Sequence, residues 1–178
     1  MKKVIALVMV LAMMMSVAAC AGKKVKEYDA QSAAAVLTDK LGIPADEVKT
    51  SETEANGGVP AATTVTAKYN NVRINVMISN TDYSKQLWDK TYNQFVDEFN
   101  KSNMFSGNYW SNSGDDNGYV VIKGEKSDTS IFGDRYRTSK IYAGYYYAGS
   151  MIVMILPEQP EVDEDVGKVI DAFGFPGL

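Results

Sequence analysis

From Thr63 to Ser79 apolar and polar positions alternate on both sides of Asn70-Asn71. A period of two marks strands with one covered face, and an asparagine pair tolerates the positive φ of a two-residue type I′ turn. Closing that turn pairs Tyr69 with Val72, Ala67 with Ile74 and Val65 with Val76. All six then lie on one face, so the turn and the pattern demand the same register. That face is predicted to be core, with Thr66, Lys68, Arg73 and Asn75 on the other.

Helical spacing appears three times. Asp29 is a good N-cap for a helix to about Leu41, with Ala30, Ala33, Ala34, Leu37 and Leu41 on one side and Gly42-Ile43-Pro44 as its stop. Asn80 or Thr81 caps a second helix reaching about Asn100, whose stripe is Leu87, Trp88, Tyr92, Phe95, Val96 and Phe99. A third runs from about Glu161 to Phe173, with acids in its first turns, where the helix dipole favours them. Its inner face carries Val162, Val166, Val169, Ile170 and Phe173, and Gly174-Phe175-Pro176 ends it.

Between these, Glu52–Ala62 reads as a loop. Asn108–Ser111 and Tyr119–Lys123 read as short strands around Ser113-Gly114-Asp115-Asp116-Asn117-Gly118, with a loop over about Glu125–Asp134. Arg137–Tyr147 and Met151–Leu156 form a long hairpin around Ala148-Gly149, and the second strand, apolar throughout, is predicted to be central and covered on both faces. The order α-β-β-α-β-β-β-β-α is dominated by hairpins. It predicts an α+β fold, a twisted antiparallel sheet with about three packed helices. The pattern leaves the strand order open.

The N-terminus departs from this globular pattern. Met1-Lys2-Lys3 precedes twelve uncharged residues, Val4–Met15, a run too short to cross roughly 30 Å of hydrocarbon as a helix. A positive start, a short apolar run and small residues make an export signal. Val17-Ala18-Ala19-Cys20 resembles the lipobox of bacterial lipoproteins, an aliphatic residue and two small ones before a cysteine. The resemblance implies cleavage before Cys20 and a diacylglyceryl group on its thiol. It also implies attachment to the outer side of the cytoplasmic membrane. On that reading residues 1–19 are a removed signal, 20–27 a lipidated tether and 28–178 a single globular domain. Removing the first 19 of 178 residues leaves 159, enough for a core without disulfide staples. The one cysteine is then consumed by the anchor, and the exported body is free of thiols.

Charge narrows the partners. The full chain carries a formal −4; two of its 18 basic residues leave with the signal, so the mature chain carries about −6. An acidic protein without a basic face is not expected to bind nucleic acid. The chain has no histidine, which removes the usual general base and the commonest zinc ligand. Laid on a calcium loop, Ser113–Gly124 lacks both the first carboxylate and the bidentate glutamate, and reads better as a turn. No phosphate loop, dinucleotide fingerprint or serine-hydrolase motif occurs. No cofactor or metal is expected.

Two features retain functional meaning. The carboxylates allow an envelope hydrolase, if two of them face each other across a cleft. The tyrosine-rich strand allows a partner surface: Tyr145 and Tyr147 share a face with Ile141 and Ala143, leaving Tyr142 and Tyr146 opposite, beside Arg137 or Lys140. Burial of that second face under the last helix is the competing outcome. The expectation is a non-catalytic, lipid-anchored envelope protein that binds an unidentified protein, peptide or glycan. An accessory subunit of an envelope assembly or export complex is the structural alternative.

Overall fold

A computed structural model of the chain describes residues 24–101, 105–126, 140–159 and 162–177. Helix α1 (Ala30–Ala35) widens into a π-helical turn over Val36–Lys40. Among the described residues seven strands follow: β1 (Lys49–Thr53), β2 (Ala62–Tyr69), β3 (Val72–Ile78), β4 (Phe105–Ser113), β5 (Asn117–Lys126), β6 (Lys140–Ala148) and β7 (Met151–Pro157). Helix α2 (Thr81–Lys101) separates β3 from β4, and α3 (Asp163–Phe173) closes the chain. The fold is α+β, as expected. One antiparallel sheet has the order β1-β2-β3-β7-β6-β5-β4, two meanders seamed by the β3–β7 pair.

The turn at Asn70-Asn71 sets β2 against β3 in the predicted register, with Asn70 at φ 50°. Val65, Ala67, Val72, Ile74 and Val76 of that face are buried, and Tyr69 is half-buried. Both helix stops behave as read, with Gly42 and Gly174 in the left-handed region at φ 67° and 68°. In each the N–H beyond the glycine returns to the helix, Ile43 to Leu37 O and Phe175 to Ile170 O. Asp29 Oδ1 accepts from Ser32 N at 2.7 Å, the expected cap on α1.

Two cores result. On one face α1 and α3 cover Val65, Ile74, Val153, Ile155 and Tyr146. On the other α2 brings Trp88 and Phe95 onto Val120, Ile122, Ala143, Tyr145, Tyr147 and Ile152. The sheet is therefore sandwiched, and β7 is central as its unbroken apolar sequence requires. Among the described residues no helix is long and apolar enough to cross a membrane.

Three expectations need correction. Lys49–Thr53, whose last two residues fall in the Glu52–Ala62 segment read as loop, is an edge strand paired with Ala62–Thr66. All five of its residues are exposed, so no alternation existed to announce it. Strand β5 continues to Lys126, into the segment read as a loop; the rest of that segment lies outside the described residues. Val25–Glu27, assigned to the tether, belong to the body: Val25 is 3% exposed, and Tyr28 Oη beside them donates to Phe173 O at 2.6 Å.

Candidate functional site

The tyrosine face is resolved in favour of burial. Tyr142 and Tyr146 are 6% and 0% exposed. Helix α3 and the returning C-terminal segment lie over them: Tyr146 stacks on Phe175 with centroids 4.5 Å apart, and its hydroxyl donates to Pro176 O at 3.0 Å. Lys123 Nζ sits 5.1 Å from the centre of the Tyr142 ring. Tyr145 and Tyr147 are buried on the opposite face under α2. Neither set is a solvent-facing platform. Arg137 and Cys20 lie outside the described residues.

Burial raises the Tyr146 hydroxyl well above its ordinary value near 10, and the neighbouring Tyr142 and Tyr119 add to the shift. Burial raises Tyr145 as well, against a lowering hydrogen bond with Thr91. Both hold their proton more tightly folded than unfolded. Their contribution to stability is complete below about pH 10 and is lost as the pH climbs from there through the folded values. Urea midpoints are expected to stay level from about pH 7 to 9 and fall above about 10, less steeply in Tyr146→Phe. A level profile through the alkaline range contradicts the burial of these rings.

Among the described residues the carboxylates with displaced pKa values go downward. Glu158, after β7, is lowered by hydrogen bonds from Lys68 and Arg73, at 2.7 and 2.9 Å. Glu164 is lowered by Lys168, and Asp29 by the cap it forms. Each is ionised at neutral pH, a state suited to holding a cation or a backbone N–H and not to donating a proton. The Asp115-Asp116 string forms the β4–β5 turn, closed by Gly114 N to Asn117 O at 2.9 Å.

The described surface offers a different site, a groove of about 480 Å³ between the β1–β2 loop and the first turns of α2. Gly57 and Gly58, at φ 57° and 87°, make a two-residue turn that Asn56 and Val59 close with paired backbone bonds of 2.9 Å each way. The loop is thereby closed on itself, and it carries Val59 at 47% exposure. Ser79 Oγ donates to Ala61 O at 2.8 Å and fastens the base of the loop to the end of β3. Asn80 Oδ1 accepts from Tyr83 N at 2.8 Å, the cap expected at this position, and starts α2 beside the loop. Buried Ser84 donates to Ser150 O at 2.8 Å, fixing the helix to the β6–β7 turn.

Its lining combines the amides of Asn56, Asn80 and Gln86 with the half-buried Tyr83 ring and the apolar Val59 and Pro60. Asp82 is its one charged side chain. Amides and a phenol offer donors and acceptors together, and a ring with apolar neighbours offers a flat contact. Such a lining suits a neutral polar ligand. Beneath the loop the same side of β2 and β3 continues with half-buried Thr64, Thr66, Asn75 and Met77. Asn75 Oδ1 is buried with no hydrogen-bond partner among the described residues. By composition the segment between β1 and β2 reads only as a loop. Asn-Gly-Gly-Val is nevertheless a hairpin signal of the kind read at Asn70-Asn71.

Comparison with known proteins finds no matching family model, no similar curated protein and no similar solved structure.

Proposed function

We propose that this chain is an exported, lipid-anchored cell-envelope protein of non-catalytic type, whose α+β domain binds a protein, peptide or glycan partner. The observation that carries the reading is Val17-Ala18-Ala19-Cys20, placed directly after two lysines and a short apolar run. The groove between the β1–β2 loop and α2 supports a binding role, because its neutral amides, ring and exposed valine are recognition groups.

The test has two arms. Wild type should incorporate labelled fatty acid and sediment with membranes, while Cys20→Ser should incorporate none and leave the membrane fraction or persist as an uncleaved precursor. Unlabelled wild type sinks the anchor. In the second arm, a partner co-purified from detergent-solubilised membranes should be lost on Tyr83→Ala/Gln86→Ala, with the melting temperature unchanged. Retention of the partner by that variant removes the groove from the reading.

A further inference from the structure

The first described residues are fastened at two points, the backbone of Val25 and the side chain of Glu27. Val25 N donates to Asn117 Oδ1 at 2.8 Å, and Asn117 Nδ2 donates back to Val25 O at 2.7 Å. Two residues on, the Glu27 carboxylate accepts from Ser150 N at 2.8 Å and Ser150 Oγ at 2.7 Å. Glu27 lies over Gly149, where an added Cβ would meet Oε1 at 2.5 Å. Asn117 opens β5, and Gly149-Ser150 is the β6–β7 turn. Both fastenings are therefore at one end of the sheet. The β4–β5 turn shares that end, through Gly149 N to Asp116 O at 2.9 Å, and so does the start of α2, through Ser84 and Ser150.

From Cys20 to Val25 is five residues of chain, at most about 18 Å when fully extended. From the fastened end β5 runs away for 10 residues, about 30 Å at 3.3 Å each. The tether is shorter than the body it holds. We propose that the domain is thereby kept in one orientation on the bilayer. The β4–β5 and β6–β7 turns face the lipid headgroups, and the far end of β5 and the start of α3 point away. The inference rests on the lipid anchor at Cys20. Charge at the held end is mixed, with exposed Lys24 and Lys26 favouring anionic headgroups and exposed Glu27, Asp115 and Asp116 opposing them, so the orientation is assigned to the short tether and not to attraction. The groove beside α2 lies at this end, where Ser79 N donates to Ser150 O, so its occupant is met close to the membrane.

Acylated full-length protein, purified from membranes and reconstituted in zwitterionic vesicles, tests this. With Cys20 acylated, a single cysteine at Asp115→Cys or Glu164→Cys takes one fluorescent label. Both side chains are exposed, Glu164 by 84%, and Asp163 beside it touches Lys123 six residues along β5. Energy transfer to a headgroup acceptor should be several-fold stronger from residue 115 than from residue 164. Inserting 20 glycine and serine residues after Lys23, a coil of roughly 25 Å r.m.s. span, should abolish the difference. Equal transfer from the two sites in vesicle-bound, acylated protein overturns the orientation and leaves the anchor standing. A difference that survives the insertion also overturns it, since the surface and not the tether then orients the body. Protein that neither carries a fatty acid nor floats with vesicles overturns both.

Discussion

Trp88→Ala is expected to cost about 3–5 kcal/mol and to lower the melting temperature by roughly 10 °C. The indole is fully buried, lying nearly parallel to Tyr145 and Tyr147 at centroid distances of 5.3 and 5.7 Å, with Tyr92 tilted against it at 5.3 Å. Its Nε1 donates to Ser113 Oγ at 3.1 Å. Truncation opens a cavity between α2 and the sheet that three rings border and none can fill. The indole also rests on Gly118, where a Cβ would lie 2.5 Å from its Cζ2. Gly118→Ala is therefore expected to cost about 2 kcal/mol alone, from overpacking. In the Trp88→Ala background it should cost at least about 1 kcal/mol less, because the group it strikes is gone. Chemical denaturation of the four proteins measures both numbers. A Trp88→Ala cost below about 1 kcal/mol, or simple additivity, would place the indole elsewhere.

Gly144→Ala should be the most damaging small change on the other face, at about 3 kcal/mol. A Cβ there would collide with Tyr146 Cε2 and stand 2.7 Å from its hydroxyl. The ring has no room to retreat, being stacked on Phe175 and bonded to Pro176 O. Tyr146→Phe keeps the ring and removes only the hydroxyl, so its expected cost is about 1 kcal/mol. The contrast separates a steric cause from a polar one. If Gly144→Ala is tolerated while Tyr146→Phe is severe, the hydrogen bond and not the ring over Gly144 holds the C-terminal segment.

How much of this was legible depended on whether local chemistry and tertiary packing pulled the same way. At Asn70-Asn71 the turn preference, the alternation and the buried face all agree, and the register could be read from the residues. At Lys49–Thr53 they are mute, since an edge strand exposed on both faces carries no pattern. The strand order was hidden for the opposite reason. Met151–Leu156 is apolar on both faces, which declares a central strand but not its neighbours. The alternation of Tyr142 and Tyr146 against Tyr145 and Tyr147 was readable. What covers each set depends on where α2 and α3 dock, and only long-range contacts decide that. The groove carries no pattern of its own: one wall is a loop whose composition hides its hairpin turn, and the other is the start of α2, set beside it by the β2–β3 pairing and by Ser79.

The seam between the two meanders has a consequence in time. Among the described strands every other pair joins neighbours along the chain, whereas β3 (Val72–Ile78) meets β7 (Met151–Pro157) across nearly half the sequence. Local hairpins form first, and a contact of such separation bears the largest loop-closure entropy. A chain emerging N-terminus first therefore holds β1–β3 as a three-stranded sheet with the apolar edge of Val72–Ile78 unpaired until Met151–Pro157 arrives. An open apolar edge is a template for wrong pairing. Folding of this domain is thus a late closure, and Val72–Ile78 is the segment most exposed to misassociation while it waits.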